Sequence, residues 1–280
     1  MRFDNCVLIR GGGDLATGVA LRLHRAGINI LITELAQPLA VRRAVSFCEA
    51  VYEGTHTVEG VAAKLVEASQ LEPWKARAEF SRSEADVIPV IIDPEASILS
   101  TFQFPVIVDA RLIKTPPQPL PTLIPLHIGL GPGFTAGSDC HAVIETRRSH
   151  TLGRVYWQGP TQPDSGEPDG DPRRVLRASA DGMLVGKKNI GDHCEEGDVI
   201  AEIKIDSNTR VQVCSPFKGV LRGIIRDGLK VTRGLKIGDV DARNEASACF
   251  LVSDKSLSIG GGVLEAVLTR PDIRKKLYSA

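Results

Sequence analysis

The sequence predicts an α/β fold with a parallel sheet, followed by a second part rich in β-structure. Three observations predict it. Residues 5–34 read as strand, glycine loop, helix, strand and terminal acid. Short apolar runs at Val87–Ile92 and at Pro105–Val108 then show the pattern of strands buried on both faces, and Leu123–Ile128 reads as a further strand. Beyond residue 175 the chain repeats itself at a spacing of 37 residues.

Asn5–Arg10 is an apolar run that leads into Gly11-Gly12-Gly13-Asp14-Leu15-Ala16. Gly11, Gly13 and Ala16 stand at the three positions of a G-x-G-x-x-A fingerprint. The first glycine makes the turn, the second admits a pyrophosphate to the backbone, and the small third residue lets helix and strand approach. Leu15, Val19 and Leu23 share one face of the following helix, which should stop at Gly27. Ile28–Thr33 then ends on Glu34, placed to accept from a ribose 2′-hydroxyl and to repel a 2′-phosphate. This order makes the first domain Rossmann-like. Asp14 argues against a pyrophosphate unless its carboxylate turns away.

Ala50–Tyr52 reads as a brief strand. Val58, Val61, Ala62, Leu65 and Val66 follow helical spacing, with Thr57 as N-cap, so a helix is expected from Thr57 to about Ala68. Ligands in open α/β sheets sit beyond the carboxyl ends of the strands, where Asp93 and the pair Asp109 and Arg111 fall. That pair reads equally as part of a site and as a structural ion pair. Five prolines in Thr115–Pro125 mark a crossing loop.

The stretch from Gly129 to Gly153 is the richest in reactive groups. Gly129, Gly131, Gly133 and Gly137 fall within nine residues, a density that suits close approach of a ligand to backbone. Cys140, His141, Glu145 and His150 follow as candidate catalytic groups, and Arg147 and Arg148 as phosphate binders. A tight turn before an ordinary charged strand explains the same residues. Gly159–Pro172, with four prolines, three glycines and four acids, reads as a linker or flap.

In the repeat, Gly182, Gly186, Gly191 and Gly197 fall on Gly219, Gly223, Gly228 and Gly234. Two β-rich halves with matching turns imply a pseudo-two-fold sandwich, with a hairpin near Asp206–Arg210. This part resembles the barrel-sandwich fold of biotinyl and lipoyl carrier domains. Those domains carry a lysine at the hairpin tip. Here the tip is Ser207-Asn208-Thr209, so neither biotin nor lipoate is expected. At the end of the chain, Gly260-Gly261-Gly262 precedes Val263, Leu264, Val267 and Leu268 on one helical face. That glycine run opens either an anion site or a helix packed back on the first domain. The divisions expected are 1–158, a linker or flap at 159–174, a barrel-sandwich domain at 175–245 and a returning helix in 246–280.

Composition narrows the classes. The 280 residues are 42% hydrophobic and 24% charged, ordinary for a globular protein of about two domains. Lys plus Arg and Asp plus Glu number 34 each, so no bulk attraction to nucleic acid or acidic membrane is expected. Six scattered cysteines form no CxxC pair, so neither a zinc site nor a disulfide framework is expected. Reduced thiols and a short apolar start, Cys6–Ile9, point to the cytoplasm.

Four motifs in order, RGGGDLATGVALRL, IGLGPGFTAG with VIETRRSHTLGRV, KIGDVDAR and SDKSLSIGGGVLEAVL, resemble the selenium-dependent molybdenum hydroxylase system protein family, the YqeB family. Ser149 stands where that family usually has glycine. The first domain is also similar to xanthine dehydrogenase accessory factors. The resemblance implies an accessory role in maturing a molybdenum hydroxylase. A hydroxylase subunit would be the partner, and molybdenum cofactor (molybdopterin) or an NAD-type nucleotide would be held at the glycine loops. Cys140 would carry sulfur or selenium. An NAD-dependent oxidoreductase and a docking scaffold remain as alternatives, and homo-oligomerisation stays open.

Overall fold

The strand–loop–helix–strand unit forms where the sequence places it, as β1 (Cys6–Arg10), α1 (Asp14–Arg25) and β2 (Asn29–Glu34), with β1 and β2 parallel. The structure is a computed structural model and describes residues 3, 5–71, 87–167 and 170–278. Val7, Leu8 and Ile9 are fully buried, as an all-apolar strand in the middle of a sheet must be. Gly27, at φ +80°, closes the helix in the left-handed region open to glycine.

The next segment differs from expectation. Ala50–Tyr52 begins a short helix, α2 (Ala50–Glu53). The helix expected over 57–68 is instead a hairpin, β3 (Thr55–Val58) and β4 (Val61–Leu65). The reason lies in two residues. Glu59 and Gly60 take φ of +47° and +82°, and Val58 pairs directly with Val61. Two positive φ values in a two-residue loop make the turn whose twist suits an antiparallel pair. That turn, with Val58 and Ala63 buried along the strands, outweighs the helical spacing.

β5 (Val87–Ile92), β6 (Val106–Asp109), β7 (Leu126–Leu130), β9 (Ala142–Ile144) and β10 (Val155–Tyr156) complete a nine-stranded sheet, ordered β10-β9-β7-β6-β1-β2-β5-β4-β3. Its seven inner strands are parallel, and an antiparallel pair closes each edge. β8 (Thr135–Ala136) pairs separately with β11 (Gly159–Pro160). Two further helices, α3 (Asp254–Leu268) and α4 (Pro271–Leu277), end the chain. α1 packs on β1 and β2, and α3 packs on α1, β7, β9 and β10. The opposite face, with Leu8, Leu31, Ile91 and Ile107, is covered by Phe3, Ile98, Leu99, Phe102 and Phe104 from connecting segments. Phe3 stacks on Phe104 with ring centroids 5.2 Å apart.

The glycines of the terminal helix are packing residues. α3 starts at Ser253, whose hydroxyl accepts from Ser256 N, so Gly260-Gly261-Gly262 lies inside the helix. A methyl on Gly18 would lie 2.5 Å from Ser256 O, and one on Gly260 would lie 2.5 Å from Gly18 O. The two backbones therefore touch, which only glycine permits. Asp14, at the start of α1, accepts from the Ser256 hydroxyl at 2.7 Å and so turns toward α3.

The first unit comprises residues up to Pro38, Phe47–Asp164 and those from Val252 onward; the second comprises Leu39–Ser46 and Ser165–Leu251. The second unit thus also draws in a segment from between β2 and β3. It holds β12 (Val175–Arg177), β13 (Gly182–Gly186), β14 (His193–Cys194), β15 (Val199–Lys204), β16 (Arg210–Cys214), β17 (Gly219–Ile224), β18 (Lys230–Val231) and β19 (Lys236–Asp241). β13, β14 and β15 begin 37 residues before β17, β18 and β19, the spacing of the sequence repeat. The halves exchange strands: β18 pairs with β13, and its counterpart β14 pairs with β17. Two four-stranded sheets result, β12-β19-β17-β14 and β16-β15-β13-β18. Leu184, Leu221, Ile200 and Ile237 meet between them as one core. In the β15–β16 hairpin, Asp206 accepts from Asn208 N and Thr209 N, each at 2.8 Å.

The expected Rossmann-like parallel sheet with a biotinyl- or lipoyl-type barrel-sandwich is therefore corrected. Among the described residues the chain has a mixed sheet, with α1 and α3 packed together on one face, and a β unit of two four-stranded antiparallel sheets. Among the described residues no helix is long and apolar enough to cross a membrane.

Candidate functional site

Three carboxyl strand ends, those of β1, β2 and β6, meet at the first glycine loop. Gly11 takes φ +93° and donates from its amide to Thr33 O, turning the chain sharply off β1. Gly12 is enclosed: Cys48 N donates to its carbonyl at 2.8 Å, and a methyl there would lie 2.9 Å from Cys48 N. Gly13 differs, since nothing lies within 4 Å of where its side chain would be. It is also the N-cap of α1, so the first-turn amides of the helix, which have no intrahelical acceptor, open beside it. Ala16 is buried, as close helix–strand contact requires.

Glu34 is 8% exposed and pinned at the end of β2. Its Oε2 accepts from Gly12 N at 2.6 Å and its Oε1 from Leu35 N at 2.7 Å. Burial pushes its pKa up, and the two amides push back. A carboxylate offers about four lone-pair sites, so two amides leave capacity for hydroxyl donors.

The other wall is a charged cluster. Arg10 ends β1 level with Asp109 on β6, and its Nη1 lies 3.4 Å from Asp109 Oδ2. Arg111 grips the same carboxylate with two bonds, from Nε to Oδ1 at 2.8 Å and from Nη2 to Oδ2 at 2.6 Å. Asp109 is fully buried, while the Arg111 side chain is 32% exposed. The bond to Asp109 raises the Arg111 pKa, and burial lowers that of Arg10. A methyl on Gly11 would lie 3.5 Å from Ala110 O, so the glycine loop sits directly on this segment. Arg111 is therefore a fixed cation whose outer edge faces solvent next to the loop. Sequence reasoning left Arg10 out. Its signal was a lone charge ending the apolar run CVLIR, level with an acid ending another.

The stretch from Gly129 to Gly153 is built differently. Methyls on Gly129 and Gly133 would lie 2.7 Å from Phe134 Cβ and from the Ile113 carbonyl carbon. One on Gly131 would lie 2.8 Å from Thr146 Oγ1. These glycines admit other parts of the protein. Cys140 is 8% exposed, its thiol donates to Ala142 O, and burial pushes its pKa up to about 12. That is the reverse of the activated thiol a sulfur carrier needs. His141 Nδ1 accepts from His127 N at 2.9 Å, and burial, then Arg270, lowers its pKa. Glu145 is fully buried and accepts from Arg147 N at 2.8 Å and Gln162 N at 2.9 Å. Arg148 grips Asp254 with two bonds of 2.7 Å, at the start of α3. Arg147 and His150 are exposed. No hydrogen bond joins Cys140, His141, Glu145 and His150 to one another. They do not form a reacting group.

His127, which sequence reasoning passed over, is 6% exposed and stands edge-on to Phe134, with ring centroids 6.0 Å apart. Its Nε2 is sealed without a partner among the described residues, and burial lowers its pKa to about 4. Asp93 is a cap, accepting from Ser97 N at 2.8 Å, Ser97 Oγ at 2.7 Å and Ile98 N at 2.8 Å. Its own amide donates to Glu34 O. Beside it lies a cleft of about 420 Å³, lined in part by Val66, Ile92, Ser97, Ser100, Thr101 and Phe102.

No family model matches the chain. It is 44% identical over 266 residues to the uncharacterized protein YqeB of Escherichia coli strain K12, a match covering 94% of this chain and 47% of that protein. The chain thus spans about half the length of that relative. The resemblance to YqeB is supported at this level; its link to selenium-dependent molybdenum hydroxylases is not. Among solved structures it is similar to an aspartoacylase family protein from Mesorhizobium loti, at 8% identity over 84% of each chain and a TM-score of 0.27. A succinylglutamate desuccinylase from a Silicibacter species gives 14% identity over 84% of each chain, also at 0.27. The ectoine utilization protein EutE (DoeB) from Ruegeria pomeroyi gives 19% over 30% of this chain and 27% of that one, at 0.24. None of these matches supports the expectation of a molybdenum-hydroxylase maturation factor or the barrel-sandwich label. At such scores they lend this chain neither a fold name nor an activity of their own.

Proposed function

We propose that the α/β unit binds an NAD-type nucleotide at the edge formed by Gly11–Gly13, Glu34 and Arg111. The observation that carries this reading is Gly13. It is open beside the first-turn amides of α1, while its neighbours Gly11 and Gly12 sit against protein backbone. The residues fit the ligand in three places. The amides at the start of α1 meet the diphosphate. The exposed edge of Arg111, held rigid by Asp109, adds a second contact to it. Glu34 meets the ribose hydroxyls, and its charge disfavours a 2′-phosphate, so NAD is preferred to NADP. The cleft beside Asp93 adjoins Glu34 through the amide of Asp93 and has the volume of a small-molecule site. Asp14 supports the reading because its carboxylate is spent on Ser256.

Thermal unfolding with NAD and NADP tests the proposal. A ligand at a hundred times its Kd stabilises by about 2.7 kcal/mol, a rise of roughly 5–10 °C at this size. NAD should produce that rise, NADP a smaller one, and Arg111→Ala should reduce both. Equal rises with NAD and NADP would remove the role given to Glu34. No rise with either would overturn the proposal.

A further inference from the structure

The glycines of the first loop carry amides that are spent inside the protein, with one exception. Gly11 N donates to Thr33 O at 2.8 Å, and Gly12 N donates to Glu34 Oε2 at 2.6 Å. Gly13 N has no hydrogen-bond partner among the described residues. Its direction is set by the carbonyl of the same peptide unit. That peptide is trans, so its C=O and N–H point to opposite sides. Gly12 O is held by Cys48 N at 2.8 Å and by Thr17 Oγ1 at 3.3 Å. Gly13 N–H therefore points away from both donors, on a residue whose side chain would meet nothing within 4 Å.

Thr17 acts from inside α1. It is fully buried, so water does not compete for its hydroxyl. Phe47 N donates to Thr17 Oγ1 at 2.9 Å. That bond occupies a lone pair and leaves the single hydroxyl proton for Gly12 O. Thr17 N donates to Gly13 O at 2.8 Å, so one residue holds two successive carbonyls of the loop. A threonine within a helix commonly bonds the carbonyl four residues back. This hydroxyl reaches one residue further, past the start of the helix, to Gly12.

Resting on the nucleotide site proposed above, we infer that Thr17 is a positioning residue for it. Its hydroxyl, with the amide of Cys48, fixes the Gly12–Gly13 peptide so that Gly13 N–H meets an oxygen of the diphosphate. A donor already aimed costs no reorganisation when the anion arrives. The nucleoside end of the ligand, held at Glu34, does not use this donor. Removing the Thr17 hydroxyl therefore weakens the grip on phosphate and leaves the grip on the nucleoside.

Calorimetric titration of NAD, ADP-ribose and adenosine into the full chain, Thr17→Val and Thr17→Ser tests this. Thr17→Val keeps the shape and loses the hydroxyl, so it should bind NAD and ADP-ribose at least about fivefold more weakly. Adenosine has no phosphate and should bind the parent and Thr17→Val alike. Thr17→Ser keeps the hydroxyl and should bind NAD within about twofold of the parent. Equal weakening of all the ligands in Thr17→Val, or none, would overturn the inference and leave the nucleotide site standing. A parent that binds none of them would overturn the nucleotide site and the role of Thr17 with it. A second readout needs no variant to fold. In the parent with isotope-labelled glycine, the NMR signal of the Gly13 amide should move with NAD and ADP-ribose, and by less with adenosine. A Gly13 signal that stays in place while NAD binds would overturn the inference.

Discussion

The two glycine loops of the α/β unit look alike in composition and do opposite work. At Gly13 a side chain would meet nothing within 4 Å. At Gly129, Gly131 and Gly133 it would run into Phe134, Thr146 and Ile113. The first loop leaves backbone open at a helix start; the second uses absent side chains to let protein segments touch. Glycine density therefore reports close approach without saying what approaches. The loop after β6 joins the two regions, since Ala110 touches Gly11 and Ile113 touches Gly133.

Substitutions should separate the loops by size of effect. Gly133→Ala drives a methyl into the Ile113 carbonyl and should destabilise by about 3 kcal/mol in denaturant unfolding. A loss below about 0.5 kcal/mol would mean that the second loop is as open as the first.

The packed loop also seals His127, and this gives a pH signature. Its folded pKa of about 4 lies below its unfolded value of 6.5. Between those values the unfolded chain binds more protons, so stability is full above pH 6.5 and falls as the pH drops toward 4. The loss should reach about 3 kcal/mol. Denaturant unfolding between pH 4 and 7 should show it, and His127→Leu should flatten the slope. An equal slope in the variant would place the loss elsewhere.

Smaller effects sharpen the contrast. Glu145→Ala leaves two amides without their acceptor and should cost about 2 kcal/mol, read as a lowered midpoint. Arg148→Ala breaks a pair that is 39% and 73% exposed, so it should cost less than about 1 kcal/mol and leave nucleotide affinity unchanged. A large loss of affinity in Arg148→Ala would return the second loop to the binding site.

Much of the fold was legible where the signal was local. The glycine fingerprint placed β1, α1 and β2, and the 37-residue spacing divided the second unit into two β-rich halves with matching turns, where six strands then fall. Legibility failed where signals competed. Helical spacing over 57–68 was real, but Glu59-Gly60 turned it into a hairpin. Of the two edge pairs that make the sheet mixed, β3–β4 follows from that local turn, whereas β9–β10 depends on which strands meet. The site was half legible. Gly13 and Glu34 stood in a spaced motif, whereas Arg10 and Asp109 meet only because their strands are neighbours in the sheet. Cys140 and Glu145 looked reactive by type, and burial makes the first a protonated thiol and the second a backbone staple.

The most direct measurement is calorimetric titration of NAD into the parent chain and Gly13→Ala. The account predicts binding by the parent and at least about tenfold weaker binding by the variant, a difference of 1.4 kcal/mol or more. It also predicts that the two unfold at nearly the same temperature, because the added methyl touches nothing in the protein. Equal affinity in the two, or no binding by the parent, would contradict it.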